Sequence, residues 1–272
     1  MTRRALPGAL PGALVDPSRA EPIASACPAH RRRALAGLAR LALPLAGWTL
    51  MPGLASAAAT GSPAQWARWA DHAYEGARDA VRHWQTQAVL RGVVINGPAA
   101  SGGRITGPSL KPLIRGALRD RGGAPDEVAE RFAGAVAEAW ALWHEAVRVP
   151  GLPWYPAFAS FPGAQAVPTP NVPTPLAALV SAQAAALSPD ALKARIVQHL
   201  GAHAQQPGAA AAAEQFAQRF GARFAAWAAT VMVRNVIGSG PVPSFKPPAV
   251  PAGPVVAGKI AEVPGSFALP PF

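Results

Sequence analysis

The chain has 272 residues, of which 50% are hydrophobic and 14% are charged, whereas charged residues make up about 25% of an ordinary soluble domain. Its eight tryptophans and nine phenylalanines exclude a wholly disordered chain, because disordered segments are poor in aromatic residues. The formal net charge is +11, but after residue 57 the basic residues are scattered singly. This spacing excludes the dense Lys/Arg run that nucleic-acid phosphates attract, so no nucleic-acid partner is expected.

Residues 1–57 are predicted to be an N-terminal extension and signal peptide. The arginines at 31–33 precede an almost uncharged run, 34–54, and small residues at Ala55 and Ala57 suit the −3 and −1 positions that signal peptidase reads. The arginine pair is also compatible with a twin-arginine signal. The pattern predicts cleavage after Ala57 or Ala59 and an exported chain, periplasmic or secreted, that meets a membrane only through this segment.

Two other interpretations of the apolar run stay open. A stretch of this length is sufficient to span a bilayer, so it also suits an uncleaved anchor, and it suits a buried core helix. The 30 residues before it are either an extended basic region or the result of a true start downstream of Met1. The only cysteine, Cys27, lies before the expected cleavage point. The mature chain therefore offers no disulfide, no thiolate nucleophile and no cysteine metal ligand, and no cofactor is expected.

Residues 58–272 are predicted to fold as an all-α bundle of about six helices. Ser62-Pro63 is an N-cap followed by an N1 proline, and tryptophans recur at helical spacing up to Trp84, which predicts a first helix ending near Leu90. The short run Val93–Ile95 is not enough to predict a sheet, and a glycine-rich loop is expected over 96–107. A short helix over 108–119 and a long one over 125–149 follow.

Residues 150–175 hold eight prolines interleaved with aromatic side chains. We expect a proline-stiffened strap lying extended across the helices, and a second strap over 241–258. The candidate binding residues are the aromatic side chains of the two straps: Trp154, Tyr155, Phe158, Phe161 and Phe245. For Trp154 and Phe158 the prediction favours packing on the chain's own helices, because exported proteins seldom leave a large apolar patch open.

Three further helices are predicted after the first strap. One opens at Thr174-Pro175, one runs from Ser188-Pro189 to near His203, and the longest spans 209–236. Displacing the chain by 87 positions aligns Trp140 with Trp227 and the first strap with the second. The mature region therefore suggests two similar halves, 58–172 and 173–272, which either arose by duplication or match through shared low-complexity composition.

Two sets of residues carry a faint catalytic pattern. Ser101 lies in a degenerate nucleophile-elbow motif, but the elbow requires a helix directly after the serine, and Gly102-Gly103 is a poor helix start. His199 and His203 are four residues apart on a predicted helix and could face one metal ion. No third ligand lies near them along the chain, so a surface histidine pair is the favoured interpretation and no metal is expected.

These observations favour an exported, non-enzymatic structural or protein-interaction module of the cell envelope or the secreted fraction. A protein partner or self-association through the straps is expected. The alternatives are an exported hydrolase, which would use Ser101 or a metal at His199 and His203, and a subunit of a larger helical assembly that exchanges its straps between protomers.

Overall fold

The computed structural model describes residues 61–175, 180–265, 268–269 and 271–272. The predicted signal segment, its cleavage site and Cys27 lie outside these residues. None of the described helices is sufficiently long and apolar to cross a membrane.

Six α-helices follow one another along the described residues. The long helices α1 (Pro63–Gln87), α3 (Asp126–Glu145), α5 (Pro189–Leu200) and α6 (Ala209–Thr230) form a helical layer, and α1 packs on α6 while α5 packs on both α3 and α6. The shorter helices are α2 (Lys111–Gly116), continued by a π-helical turn over Ala117–Arg121, and α4 (Pro156–Ala159). Short 3₁₀ turns lie at Ala184–Leu187 and Gly201–Gln205.

The ends of α1 agree with the capping pattern in the sequence. The Ser62 hydroxyl accepts the backbone N–H of Gln65, and the Gln65 side chain accepts the N–H of Ser62, so two donors of the first turn are satisfied. Trp66, Trp69 and Trp84 are buried on one face of the helix, which confirms the predicted stripe.

Against this layer lies an antiparallel sheet. Its main strands are β1 (Val89–Asn96), β2 (Ala99–Thr106), β3 (Val147–Pro153), β5 (Gln165–Pro170), β9 (Ile237–Pro241) and β11 (Gly258–Ile260). Their order is β5-β9-β11-β1-β2-β3, and the short β7 (Val180–Ser181) pairs with β3. The inner face is buried: Leu90 is paired with Ile105, and Ile95 with Ala100.

The remaining strands form two small sheets. Strand β4 (Ser160–Phe161) pairs with β10 (Gly253–Pro254), and β8 (Met232–Val233) lies between β6 (Thr174–Pro175) and β12 (Ala268–Leu269). The β4–β10 pair joins the two proline-rich segments to one another, and the β6–β8 pair attaches the end of the first segment to the residues that follow α6.

An aromatic cluster fills the space between the helices. Trp140 on α3 and Trp227 on α6 lie with ring centroids 6.3 Å apart, and Trp84 on α1 meets Trp140 edge-on at 5.1 Å. Phe272 enters the same cluster at 5.7 Å from Trp227. Edge-to-face contacts of this kind contribute beyond the area they bury, and they join three helices to the end of the chain.

The structure contradicts the predicted all-α class, because the chain is a mixed α/β protein. The expected glycine-rich loop over 96–107 is mostly strand β2, and the expected helix opening at Thr174-Pro175 is instead strand β6 at those two residues. The first strap contains four strands and one helical turn, so it is not a plain extended segment. Its prolines and glycines hid these strands, since both residue types are depleted in strands.

Candidate anion-binding cleft

The aromatic residues of the straps differ in exposure. Trp154 and Phe158 are 3% and 2% exposed and lie 6.0 Å apart between ring centroids, and the Trp154 indole N–H donates to the carbonyl of Thr169 over 3.1 Å. These two rings are buried within the chain, but the Trp154 ring lies beside Gly238 of strand β9, whereas the prediction placed it on the helices. Tyr155 is 44% exposed, while Phe161 and Phe245 are partly buried against the core.

Ser101 is an exposed residue of β2 and stands opposite Val94 of β1. A serine nucleophile needs a general base within hydrogen-bond reach. Among the described residues, the Ser101 hydroxyl has no hydrogen-bond partner. The elbow motif requires a helix after the serine, but strand β2 continues there instead. Its surroundings therefore lack the geometry of a serine hydrolase.

His199 and His203 lie at the junction of α5 with the following 3₁₀ turn and face α3. The Nε2 atom of His199 is 2.9 Å from Glu138, whereas that of His203 is 3.6 Å from Glu127. Each histidine thus meets its own carboxylate. In the described part of the chain no three His, Cys, Asp or Glu side chains are close enough to share a metal ion.

A different site lies on the outer face of the sheet, where β1 and β2 form a hairpin around the Gly97-Pro98 turn. Gly97 has φ +57°, the positive value that a two-residue hairpin turn requires at its first position. The register places Arg91 directly opposite Arg104. Gly92 and Gly103 lie between the pair Arg91–Arg104 and the pair Val93–Gly102, so they also face one another.

At these facing glycines, the alternation of inward and outward side chains shifts by one residue in both strands. Leu90 and Val93 are both buried although they are an odd number of positions apart, and the same holds for Ala100 and Ile105. Gly92 and Gly103 have φ values of +65° and +73°, which glycine adopts without the penalty that a Cβ would bring. Glycine is therefore needed where the alternation of side chains resets.

The distortion opens a cleft of about 520 Å³. We call it the basic cleft, and its lining residues are Arg91, Gly92, Gly103, Arg104, Arg148 and Glu262. Arg91, Arg104 and Arg148 come from three adjacent strands, β1, β2 and β3. One Nη of Arg148 donates to the carbonyls of Glu145 and Val147, each over 2.8 Å, so this guanidinium is held in place.

Glu262 closes one side of the basic cleft. Its Oε1 accepts the backbone N–H of Gly92 over 3.1 Å, and its Oε2 lies 3.8 Å from the Nε of Arg91. By contrast, no carboxylate of the described residues lies within ion-pairing distance of Arg104. The cleft therefore has three guanidinium groups and one carboxylate, and it already holds one anionic group against the Gly92 N–H.

A second cavity adjoins the basic cleft on the outer face of the sheet. It has a volume of about 430 Å³ and shares Gly92 and Glu262 with the first. Its other lining residues are Val93, Val94, Lys259 and Ile260, so we call it the apolar arm. Val94 is 43% exposed, so its side chain is accessible within this arm.

The three arginines are not predictable from clustering along the chain, because each lies in a separate stretch of sequence. The signal that could have found two of them is a symmetry about the turn. Arg91-Gly92 before Gly97-Pro98 mirrors Gly103-Arg104 after it, so a two-residue hairpin turn at that position pairs Arg with Arg and Gly with Gly. Arg148 had no such signal, because its strand arrives from beyond α3.

The chain matches no known protein-family model, and no curated protein or solved structure is significantly similar to it.

Proposed function

We propose that the chain is an exported, non-enzymatic binding module that holds an anionic ligand in the basic cleft. The observation that carries the proposal is the convergence of Arg91, Arg104 and Arg148 on one cavity whose described lining includes a single carboxylate, that of Glu262. Guanidinium groups bind carboxylates and phosphates through paired hydrogen bonds, so an anion is the ligand that suits this cavity.

The pairing of Arg91 with Arg104 supports a binding role more than a structural one. Like charges placed directly opposite one another on two antiparallel strands are destabilising, and Arg104 has no compensating carboxylate among the described residues. Such a pair lowers the stability of the empty protein and favours an added anion. Functional sites often carry a cost in stability of this kind.

Export is proposed from the basic and apolar pattern that ends at Ala57. A partner bound through the first strap is less favoured, because Trp154 and Phe158 are buried and only Tyr155 of its aromatic residues is largely exposed. The cleft, unlike the strap, presents unpaired charge to solvent.

The proposal is tested by titrating inorganic phosphate into the full-length chain and following the amide signals of Gly92 and Gly103 by NMR. Arg104→Ala should weaken binding by about tenfold, the loss expected for one charged hydrogen-bonding group. Arg68→Ala is the matched control, since Arg68 is an exposed arginine on α1 with no ion pair among the described residues. Added salt should weaken binding in the unsubstituted chain.

Thermal unfolding separates binding from folding in the same variants. Arg104→Ala should melt at the same temperature as the unsubstituted chain or higher, because it removes a like-charge pair. Phosphate should raise the melting temperature of the unsubstituted chain and of Arg68→Ala more than that of Arg104→Ala. Equal phosphate affinity in all three proteins would show that the cleft is not the site.

A further inference from the structure

The basic cleft and the apolar arm adjoin, since Gly92 and Glu262 line both. One end of the combined groove presents three guanidinium groups. The other presents the side chains of Val94, which is 43% exposed, and of Ile260, which is partly buried. A ligand that fills the whole groove therefore needs a charged end and an apolar end.

The charge balance of the basic cleft indicates which anion it takes. Among the described residues that line it, three guanidinium groups face one carboxylate, which leaves an excess of two positive charges. A phosphate monoester carries about −1.5 to −2 at pH 7 and matches this excess, whereas a carboxylate neutralises only half of it. Its three terminal oxygens also provide acceptors for more than one arginine at a time.

The position of Glu262 argues against a simple carboxylate ligand. Its side chain already accepts the Gly92 N–H and lies near Arg91, so an external carboxylate would compete with a tethered one for the same donors. Arg104 and Arg148 are the guanidinium groups that Glu262 does not reach. A phosphate placed between them leaves the Glu262 contacts intact.

We propose that the groove binds an amphipathic phosphate monoester, with the phosphate between Arg104 and Arg148 and the apolar substituent along Val94 and Ile260. This inference rests on the proposed function and specifies its ligand. The shared chemistry occurs in soluble alkyl phosphates and in lipids with a phosphomonoester headgroup. Lys259, at the side of the apolar arm, provides a further cation for such a headgroup.

The test compares three probes by NMR titration of the full-length chain: inorganic phosphate, hexyl phosphate and hexanoate. Hexyl phosphate should bind about tenfold more tightly than inorganic phosphate, because burying about two methylene groups yields a gain of that order. Hexanoate, which has an apolar chain but a single charge, should bind more weakly than hexyl phosphate. The signals of Val94 and Ile260 should shift with hexyl phosphate and not with inorganic phosphate.

Two variants test the apolar arm and the basic cleft separately. Val94→Ser should remove most of the advantage of hexyl phosphate over inorganic phosphate while leaving the affinity for inorganic phosphate unchanged, because it alters only the apolar arm. Arg104→Ala should weaken both probes. Val167→Ser is the matched control, since Val167 is an exposed valine of the same sheet, on β5, that does not line the groove.

Vesicles with and without phosphatidic acid distinguish the two sources of the ligand. Association that requires phosphatidic acid and is lost in Arg104→Ala assigns the site to a lipid headgroup. Hexyl phosphate binding without such association assigns it to a soluble ester.

Equal affinity for hexyl phosphate and inorganic phosphate, with both weakened in Arg104→Ala, would overturn the amphipathic ligand and leave the proposed anion-binding function standing. Failure of both phosphates to bind would overturn both proposals. Hexanoate binding as tightly as hexyl phosphate would replace the phosphate with a carboxylate.

Discussion

The backbone N–H of Phe272 donates to the Oε1 of Gln85 over 2.8 Å, in a buried contact between the last residue of the chain and α1. Arg82, one turn earlier on the same helix, donates from its Nε to the Phe272 carbonyl over 3.0 Å. The Phe272 ring is fully buried among Trp140, Phe220 and Trp227. A single residue thus links α1, α3 and α6.

Phe272→Ala should lower the free energy of unfolding by about 3 kcal/mol or more, the usual cost of truncating a buried phenylalanine. Urea unfolding of the full-length chain measures it. Phe272→Leu should recover part of the loss, because it keeps an apolar side chain in the same space. A change below about 1 kcal/mol for Phe272→Ala would contradict the packing described for this residue.

Gly103→Ala should destabilise the protein more than Gly97→Ala. Both glycines have positive φ, so alanine at either position costs about 1 kcal/mol in backbone strain. A Cβ at Gly103 would also lie 2.5 Å from Cγ2 of Val93 and 2.8 Å from the Arg91 carbonyl oxygen, whereas a Cβ at Gly97 meets nothing within 4 Å. The overlap should add about 1–3 kcal/mol, measured by urea unfolding, and equal losses at the two positions would refute it.

Protonation of His144 should make the fold sensitive to mild acid. This histidine is 4% exposed on α3 and its Nδ1 donates to the Trp140 carbonyl over 3.0 Å. Burial lowers the pKa of His144 from its ordinary 6.5, although the Trp140 hydrogen bond and Glu145 oppose the shift. Below pH 6.5 the unfolded chain therefore binds a proton that the folded chain does not, and the free energy of unfolding falls as pH falls.

The pH effect is isolated by comparing the unsubstituted chain with His144→Phe, which keeps a ring against Trp84. The unfolding free energy of the unsubstituted chain minus that of His144→Phe should fall between pH 7.5 and pH 5, because only the unsubstituted chain loses stability there through this group. The carboxyls of Asp126 and Glu127 have pKa values lowered by Arg115 and Arg131 respectively, so their stabilising effect is present above their ordinary pKa values and is lost only at more acidic pH. A constant difference across the range would exclude His144 as the sensor.

Trp154→Ala and Phe158→Ala should each lower the free energy of unfolding by about 3 kcal/mol or more. Tyr155→Ala, at the exposed position between them, should change it by less than about 0.5 kcal/mol. Urea unfolding of the three variants measures these changes in the free energy of unfolding. Unchanged stability for the two buried positions would make the first strap, and not the basic cleft, the leading candidate for a binding surface.

N-terminal sequencing of the exported chain should find a first residue just after Ala57 or Ala59. The basic flank, the apolar run and the small residues before the cut are the reason. Ala55→Arg and Ala57→Arg together should block processing, since signal peptidase requires small residues there. A mature protein that begins at Met1 would refute the proposed export.

The starts of α1 and α5 were predictable from sequence because each is encoded locally, whereas α4 was not predicted and the helix expected at Thr174-Pro175 is a strand. Ser62 and Ser188 cap α1 and α5, and both start with a proline in the next position, so the signal and the structure lie within a few residues of one another. The strands were not predictable in this way. Strand β2 consists mainly of Ala, Ser and Gly, and β3 contains Pro150 and Pro153, so neither has the β-branched alternation by which strands are identified.

The candidate site was missed for a related reason. Its three arginines are single charges in three separate stretches of sequence, and only the pairing of β1, β2 and β3 brings them to one cavity. The predicted candidates Ser101, His199 and His203 were chosen by spacing along the chain. The structure places Ser101 on an open strand and gives each histidine a different glutamate, Glu138 or Glu127.

The sheet order has a consequence for how the protein reaches its folded state. Strand β11 lies between β9 and β1, and the contact of Gly92 with Glu262 spans 170 positions of the chain. Long-range pairings of this kind form slowly, because the loop between them must be closed first. While the chain is being synthesised, the β1–β2 hairpin lacks its neighbour β11 until residue 260 has been added. The basic cleft is completed later still, because Glu262, which closes one of its sides, follows β11 along the chain.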